Sequence, residues 1–351
     1  MHSDIEAIIQ DGILAPSGEN CQPWKFTIVG QNTVVLRNDP LADQSLYNFQ
    51  QTGSFVAHGA LIENMVISAG EKGYRLQIAL FPDPKDPNLV AKIVFEKGEV
   101  LHDPLYPYLK DRHTNRKQHS PVKLGVEQKQ ALIDAAQKIG FGEFRITDDA
   151  SALAKIGRAV AVNEQVIFEN KELHDFFYGH VLWNEADQEK SGGFYFETLE
   201  FLPPQLKAVK LLKSWPVLRF LNMIGIAKKI AAENATKYAS SGACGIVTMK
   251  SGTREDFVNA GRTIERVWLT ATKLGLSVHP CTGTLYFMER IKGGDTTSFS
   301  AEHQDLIRAA YTDIVETFQT GTLVIPMLMM IGFTDQATAR AKRMPLHITY
   351  E

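Results

Sequence analysis

The sequence predicts an α+β fold, a sandwich of helices packed around mixed sheets, built from two related halves. Three observations predict it. Stretches with apolar residues at helical spacing alternate with short β-branched runs. A proline-rich turn, Asp103-Pro104 and Tyr106-Pro107, interrupts them. The helix, strand, helix order of the first hundred residues is then echoed after that turn. The expected division is a first half at 1–105 and a second at 106–351.

Ile5, Ile8, Ile9, Ile13 and Leu14 make an amphipathic helix of the first fifteen residues, ending before Pro16. Trp24 to Val29 and Thr33 to Arg37 read as short strands around Gly30 and Asn32. Residues 53–73 form a long helix in which Gly59, Ala60 and Ala69 suit close packing, followed by strands at 75–81 and 90–96. The second cycle has a helix at 126–139, a strand at 144–147 and a helix at 151–169. Residues 195–233 combine aromatic, basic and apolar side chains, with a helical run at 217–231. They read as an amphipathic helix pair on the core, with Lys207, Lys210 and Lys213 on a solvated face, or alternatively as a lid. A strand at 243–249, helices at 254–274 and 301–319 and a buried strand within Leu323 to Phe333 complete the chain.

With 44% hydrophobic and 22% charged residues the chain can bury a full core. Its net charge of −3, with both signs interspersed, offers no basic face for a polyanion, so no nucleic-acid partner is expected. Cys21, Cys244 and Cys281 lack the spacing of a zinc knuckle or dithiol pair, which leaves no metal expected. The acidic N-terminus shows no secretory pattern, and no apolar run approaches the ~20 residues of a bilayer span. A cytoplasmic location without a membrane partner is the expectation.

Four runs could carry chemistry. The loop from Ala15 to Phe26 offers Ser17, Asn20 and Gln22 side chains, with Gly18 opening the backbone to a flat heterocycle; the plainer reading is a capped turn. Arg112-His113-Thr114-Asn115-Arg116 sets two guanidiniums around a hydroxyl and an amide, as a phosphate would need, or is a solvated basic turn. Gly275 to Gly283 follows a long helix and turns at Pro280, where backbone N–H groups could meet a ligand or simply cap the helix. Lys342 and Arg343 offer a further phosphate contact or form a charged tail.

Together these runs resemble the nitroreductase family of flavoproteins over most of the chain. In that family a homodimer builds each FMN site from both subunits. Pro16-Ser17-Gly18-Glu19-Asn20-Cys21-Gln22-Pro23-Trp24 resembles the family's flavin-ring loop. Arg112-His113-Thr114-Asn115-Arg116 resembles its phosphate segment, with Thr114 in place of serine. Pro280, Cys281, Thr282 and Gly283 are similar to the loop that reaches flavin N5 and O4, and Arg343 matches the C-terminal basic residue. The helix around Arg262 and Glu265 resembles the family's core helix, so both are read as structural.

The departures are informative. The first half has no arginine before Arg37, and the second has Gly140 to Arg145 where a second ring loop would fall. The resemblance therefore implies a fused intramolecular pseudo-dimer with one FMN per chain, similar to the double-length, Acg-like branch. It implies two-electron transfer from NAD(P)H through FMN to a nitroaromatic, quinone or similar small-molecule acceptor, with the flavin carrying the chemistry and no catalytic side chain required. The alternatives are a flavin-sequestering protein and an oxygen-dependent flavin-modifying enzyme. Either a monomer or a homodimer is compatible.

Overall fold

The structure, a computed structural model, describes residues 1–351. In the first half α1 (His2–Gly12) leads to β1 (Trp24–Val29) and β2 (Thr33–Asn38), then α2 (Thr52–Glu71), β3 (Tyr74–Leu80) and β4 (Leu89–Lys97). Ile5, Ile8 and Ile9 bury one face of α1 as their spacing requires. The helix stops three residues short of the expected end. The carbonyls of Ile13, Leu14 and Ala15 accept hydrogen bonds from the Arg343 guanidinium at 2.8, 2.8 and 3.0 Å instead of serving the next turn.

The second half runs α3 (Val126–Ile139), β5 (Glu143–Thr147), α4 (Ala150–Glu169), α5 (Lys171–Gly179), β6 (Val181–Leu182), β7 (Phe194–Tyr195), α6 (Pro203–Leu212), α7 (Trp215–Asn222) and α8 (Ile226–Ala239). It continues with β8 (Ala243–Met249), α9 (Arg254–Lys273), β9 (Ser277–Pro280), α10 (Gly283–Lys292), α11 (Ala301–Phe318), β10 (Val324–Gly332) and β11 (Ile348–Tyr350). The expected single run at 217–231 is broken at Gly225, whose φ of +79° ends one helix and starts the next. No helix is long and apolar enough to cross a membrane.

The two halves share one topology. The first sheet has the order β1-β2-β4-β3 and the second β5-β8-β10-β9, every neighbour within each set antiparallel. In both, a twenty-residue helix, α2 or α9, links the second strand to the third. The second copy carries α4 to α8 between its first two strands and α10 and α11 between its last two. β11 leaves the second half and pairs in parallel with β1, so the chain's end completes the first sheet.

β8 and β10 are buried on both faces. Ala243, Val247 and Met249 of β8 join the large core cluster under α9, while Cys244 and Ile246 face the cluster under α4 and α11. Pro326 is tolerated in β10 because the register with β8 shifts between Val324 and Met327, leaving its missing donor at an irregularity. β3, buried on one face only, keeps the simple alternation.

α2 and α9 cross where each has a glycine. A Cβ on Gly59 would lie 1.9 Å from the Val258 carbonyl oxygen, and one on Gly261 would lie 2.0 Å from that of Val56. The two contacts are the same interaction seen from either helix, three residues apart in each. Ion pairs flank the crossing: Glu63 meets Arg262 at 3.1 Å and Arg266 at 2.7 Å, and Arg266 also reaches Asp103 at 3.0 Å. The core cluster around the crossing draws on both halves.

In an ordinary helix interior Gly→Ala stabilises by about 1 kcal/mol. Here the sign should reverse: Gly59→Ala or Gly261→Ala is expected to lose about 3 kcal/mol or more, because the helices must separate. Urea denaturation measures this, and an unchanged or higher midpoint would refute the crossing.

His58 on α2 is fully buried, and its Nε2 donates to Asn38 Oδ1 at 3.1 Å, since the Asn38 amide is itself donating to Gln51. Burial holds its pKa down at about 3, against an ordinary 6.5. Between those values the unfolded chain binds the proton that the native one refuses. Stability contributed by neutral His58 is therefore complete above pH 6.5 and is lost as pH falls toward 3. His58→Gln, which keeps a donor, should flatten the fall in stability below neutrality by up to about 1.4 kcal/mol per pH unit; identical pH profiles for the two proteins would contradict this.

Candidate cofactor site

The loop after α1 is held in an unusual backbone shape. Glu19, Asn20 and Gln22 have φ of +49°, +57° and +51°, a left-handed region that side chains other than glycine seldom occupy. Its hydrogen bonds over-determine it. Gln22 N–H donates to Ser17 Oγ at 3.0 Å and Gln22 Nε2 to the Asn20 carbonyl at 3.2 Å. The C-terminal segment clamps the outside: Asn20 Nδ2 donates to the Lys342 carbonyl at 2.8 Å, Arg343 Nη1 to Asn20 Oδ1 at 2.9 Å and Met344 N–H to Gln22 Oε1 at 3.0 Å. Non-glycine residues held this way cluster at ligand sites.

Residues 112–116 run beside this loop. Asn115 N–H donates to the Val278 carbonyl at 3.0 Å, and Thr114 bridges Val278, so the segment lies along the edge of β9. Asn115 is buried, its Nδ2 donating to the Asp335 carbonyl at 2.9 Å and its Oδ1 accepting from Lys117 N–H. Arg112 is 2% exposed in its side chain. Its Nε sits 3.0 Å from Glu265 Oε1, its Nη2 donates to the Leu14 carbonyl at 2.6 Å, and its guanidinium lies 4.7 Å over the Trp268 ring. Burial of both partners pushes the Arg112 pKa down and the Glu265 carboxyl up. Arg343 is brought down to about 9 by its own burial and then by the charge of Arg112. Both guanidiniums are largely committed to holding the loop and the core helix together.

Arg116 is different. It donates once, from Nη1 to the Thr198 carbonyl at 3.1 Å, and its guanidinium lies 5.5 Å over the Phe194 ring. It makes no ion pair. Burial lowers its pKa, with only the more distant Tyr238, Cys281 and Glu200 opposing.

A cleft of about 370 Å³ opens where these pieces meet. Pro16, Ser17, Glu19 and Asn20 form one wall; Arg112, His113, Thr114 and Arg116 form another. Phe194 and Thr198 close a side, and residues 339–343 close the remaining one. Gly18 and Gln22 support the loop without lining the cleft. Of the 195–233 stretch only Thr198 reaches it, whereas α8 packs along α4. The covering residues centre on 192–198: a Cβ on Gly192 would lie 2.8 Å from Cys21 Cα.

Pro280, Cys281, Thr282 and Gly283 do not line that cleft. Gly283 packs against α4 so closely that a Cβ would fall 2.0 Å from Asn163 Oδ1. Cys281 is buried, and burial raises its thiol far above the usual range. The charge of Arg116 adds to the lowering of His279 and opposes the rise of Cys281.

The sequence does not single out two groups of this region, Lys237 and Glu164, whereas it marks His279 as a residue that tunes the flavin or is buried for structure. Lys237 on α8 makes no ion pair, and its ammonium is pushed down by burial and then by Arg116. His279 is driven well below its ordinary value by burial and then by Arg116, Lys237 and His119. Glu164 Oε1 accepts from Tyr238 O–H at 2.8 Å, while its buried Oε2 has no partner. Glu19 and Arg116 line the cleft, whereas Glu164 and Lys237 stand outside its lining; burial shifts all four toward their neutral forms. Nothing in the spacing of Lys237 or Glu164 sets them apart from any other charged position on an amphipathic helix.

No protein-family profile matches the chain. Over 279 residues, 78% of its length, it is 24% identical to the uncharacterized protein MT1398 of Mycobacterium tuberculosis. Over 99 residues it is 29% identical to acg of the same organism, whose name offers NAD(P)H nitroreductase as a proposal. The chain spans 38% and 29% of the lengths of these two relatives. Among solved structures it is similar to the FMN-dependent nitroreductase NfnB of Mycobacterium smegmatis in complex with NADPH, with a TM-score of 0.38, 10% identity and 68% and 93% of the two chains covered. It is also similar to oxidized iodotyrosine deiodinase bound to FMN and 3-iodo-L-tyrosine, with a TM-score of 0.39, 14% identity and 70% and 98% covered. TM-scores of this size do not establish a shared fold.

The different commitments of the two arginines can be separated by stability. Arg112→Met leaves Glu265 buried without its partner and should cost about 3 to 5 kcal/mol, much of it recovered by adding Glu265→Gln. Arg116→Met should change stability by under about 1 kcal/mol. Denaturant midpoints decide it; equal losses at both positions would contradict the assignment.

Proposed function

We propose that this chain is a flavoprotein of the nitroreductase type, a fused pseudo-dimer that holds one FMN per chain. The observation that carries the reading is two cations, Arg116 at the cleft wall and Lys237 on α8, neither of which makes an ion pair; the charge of Arg116 lowers Lys237, and both lower His279. Partly buried cations without counter-charges are costly, and a phosphate dianion would supply the missing charge along with acceptors for the remaining guanidinium and ammonium donors. Thr114 adds a hydroxyl at the cleft wall. The cleft volume lies at the low end of the range for small-molecule sites. The residues present fit the phosphate end of the cofactor.

The two halves share a topology but not their site residues, which supports one site rather than two. The strained loop at 16–22 belongs to the first half, and Arg116 and Lys237 belong to the second. Bound FMN would accept and pass on a hydride equivalent, from NAD(P)H to a small acceptor such as a quinone or nitroaromatic. The protein's part is to bind and orient. Arg116 would hold the phosphate, with Lys237 as the second unpaired cation, and the loop at Ser17 to Asn20 would face the flavin ring; the turn at Pro280 to Gly283, outside the cleft lining, would act through the strand edge beside Thr114. Cys281, its thiol raised by burial, is no nucleophile at neutral pH.

A second reading, flavin sequestration, is favoured by one feature: residues 192–198 sit directly on both the ring loop and Arg116. Anaerobic mixing with excess NADPH or NADH separates the two. Bleaching of the flavin within seconds is expected for the reductase; a flavin that stays oxidised under both donors would leave storage as the function. Flavin released on heating should approach one per chain. Arg116→Ala with Lys237→Ala should weaken FMN binding by about 2 kcal/mol for each charged hydrogen bond removed. Unchanged flavin content in that variant would overturn the phosphate assignment.

A further inference from the structure

The region least explained by a flavin site is the face built by α6, α7 and the start of α8. From residue 201 to residue 232 there is no Asp or Glu, while Lys207, Lys210, Lys213, Arg219, Lys228 and Lys229 supply six positive charges in a chain whose net charge is −3. All six are exposed. Between the lysines stands an apolar knuckle. Phe220, Met223 and Ile224 are 69%, 80% and 80% exposed, and at i, i+3 and i+4 they share one side of the turn that ends α7. Leu211 on α6 is exposed as well, whereas Val209, Leu212, Leu218 and Ala227 turn inward and anchor the segment.

We propose that this face docks on the surface of an anionic lipid bilayer. Large apolar side chains that protrude and are bordered by lysines match an interface in which the apolar groups enter the headgroup boundary and the ammonium groups stay at the phosphates. The charge argues for this occupant over a second copy of the chain. An isologous contact would press six cations against six more with no acidic side chain on the segment to offset them. The absence of a spanning helix bears only on crossing a bilayer and leaves surface attachment open. Of the cations, Lys228 also meets Glu302 at 3.6 Å and Lys213 lies 5.4 Å from the Trp183 ring centre, so Lys207, Lys210, Arg219 and Lys229 are the freest to engage lipid.

Co-sedimentation of the full chain with vesicles tests the proposal and needs no bound flavin. Binding is expected to vesicles of mixed phosphatidylglycerol and phosphatidylcholine at low salt, with little binding to phosphatidylcholine alone and a steep loss as salt rises. Phe220→Ser with Met223→Ser and Ile224→Ser should reduce binding at least tenfold. Lys207→Ala with Lys210→Ala and Lys229→Ala should reduce it roughly a hundredfold, about fivefold per charge. All six positions are exposed, and circular dichroism confirms that each variant is folded. No binding of the unaltered chain to anionic vesicles, or binding by either triple variant equal to that of the unaltered chain, would overturn the proposal. So would a dimer that dissociates in the Phe220, Met223 and Ile224 variant while vesicles bind neither protein. FMN content and reduction by NADPH are read separately, so failure of the lipid interaction and failure of the flavin reading are distinguishable.

Discussion

The contact of Gly59 with Gly261 is the constraint on which the rest depends. Backbone meets backbone there, with a carbonyl occupying the space of each missing side chain. Two long helices can approach so closely only where neither carries a Cβ, which fixes both the point of crossing and the register of α2 against α9. Glu63 then lies between Arg262 and Arg266, and the large core cluster closes around the crossing. Each sheet is attached to its own central helix, so positioning the helices positions the sheets. The candidate site inherits this placement, because Arg112 is seated on Glu265 and Trp268 of α9 while its Nη2 holds the Leu14 carbonyl of the first half.

Against this symmetric frame the cleft is asymmetric. Residues 112–116 follow the edge of β9, whereas the strained loop precedes β1, and no counterpart of either is present in the other half. The insertion of α4 to α8 also supplies Phe194 and Thr198 to the cleft, two groups with no possible equivalent in the first half, which has no insertion between β1 and β2. A frame repeated twice thus carries a cleft lined once, by residues 16–20 of the first half and residues 112–116 of the second.

Much of the frame was legible in the sequence. The spacing of Ile5, Ile8 and Ile9 gave α1, and the small residues of 53–73 marked a helix meant for close packing. The repeat was visible only as helix, strand, helix, because α4 to α8 separate β5 from β8 and hide the full helix, two strands, helix, two strands pattern. The end of α1 was misplaced because its carbonyls are taken by Arg343, some 330 residues away, a partner no local pattern contains. Three of the four runs singled out for their chemistry do meet at the cleft. Among them, sequence could not tell Arg112 from Arg116, since the difference lies in a partner, Glu265, presented by a distant helix. Lys237, just beyond the 195–233 stretch, carries no mark in the sequence that sets it apart from solvated lysines; in the structure it is half-buried and makes no ion pair.

The near wall of the cleft depends on the last residues of the chain. Glu19, Asn20 and Gln22 each pay for a left-handed backbone with roughly 1 kcal/mol or more. Their own turn returns only the bonds from Gln22 to Ser17 and Asn20. The remaining restraint comes from residues 342–344, which reach the loop because β11 has already crossed from the second half to pair with β1. The same segment is tied to the covering stretch, through Lys342 N–H to Gln188 Oε1 at 2.9 Å and through Thr338 to Glu200. Loop, cover and C-terminal segment are thus one hydrogen-bonded unit, and movement of the cover away from the cleft would draw on the hydrogen bonds that hold the loop in its strained form. The cover and the strained wall of the cleft therefore share their restraints in residues 338–344.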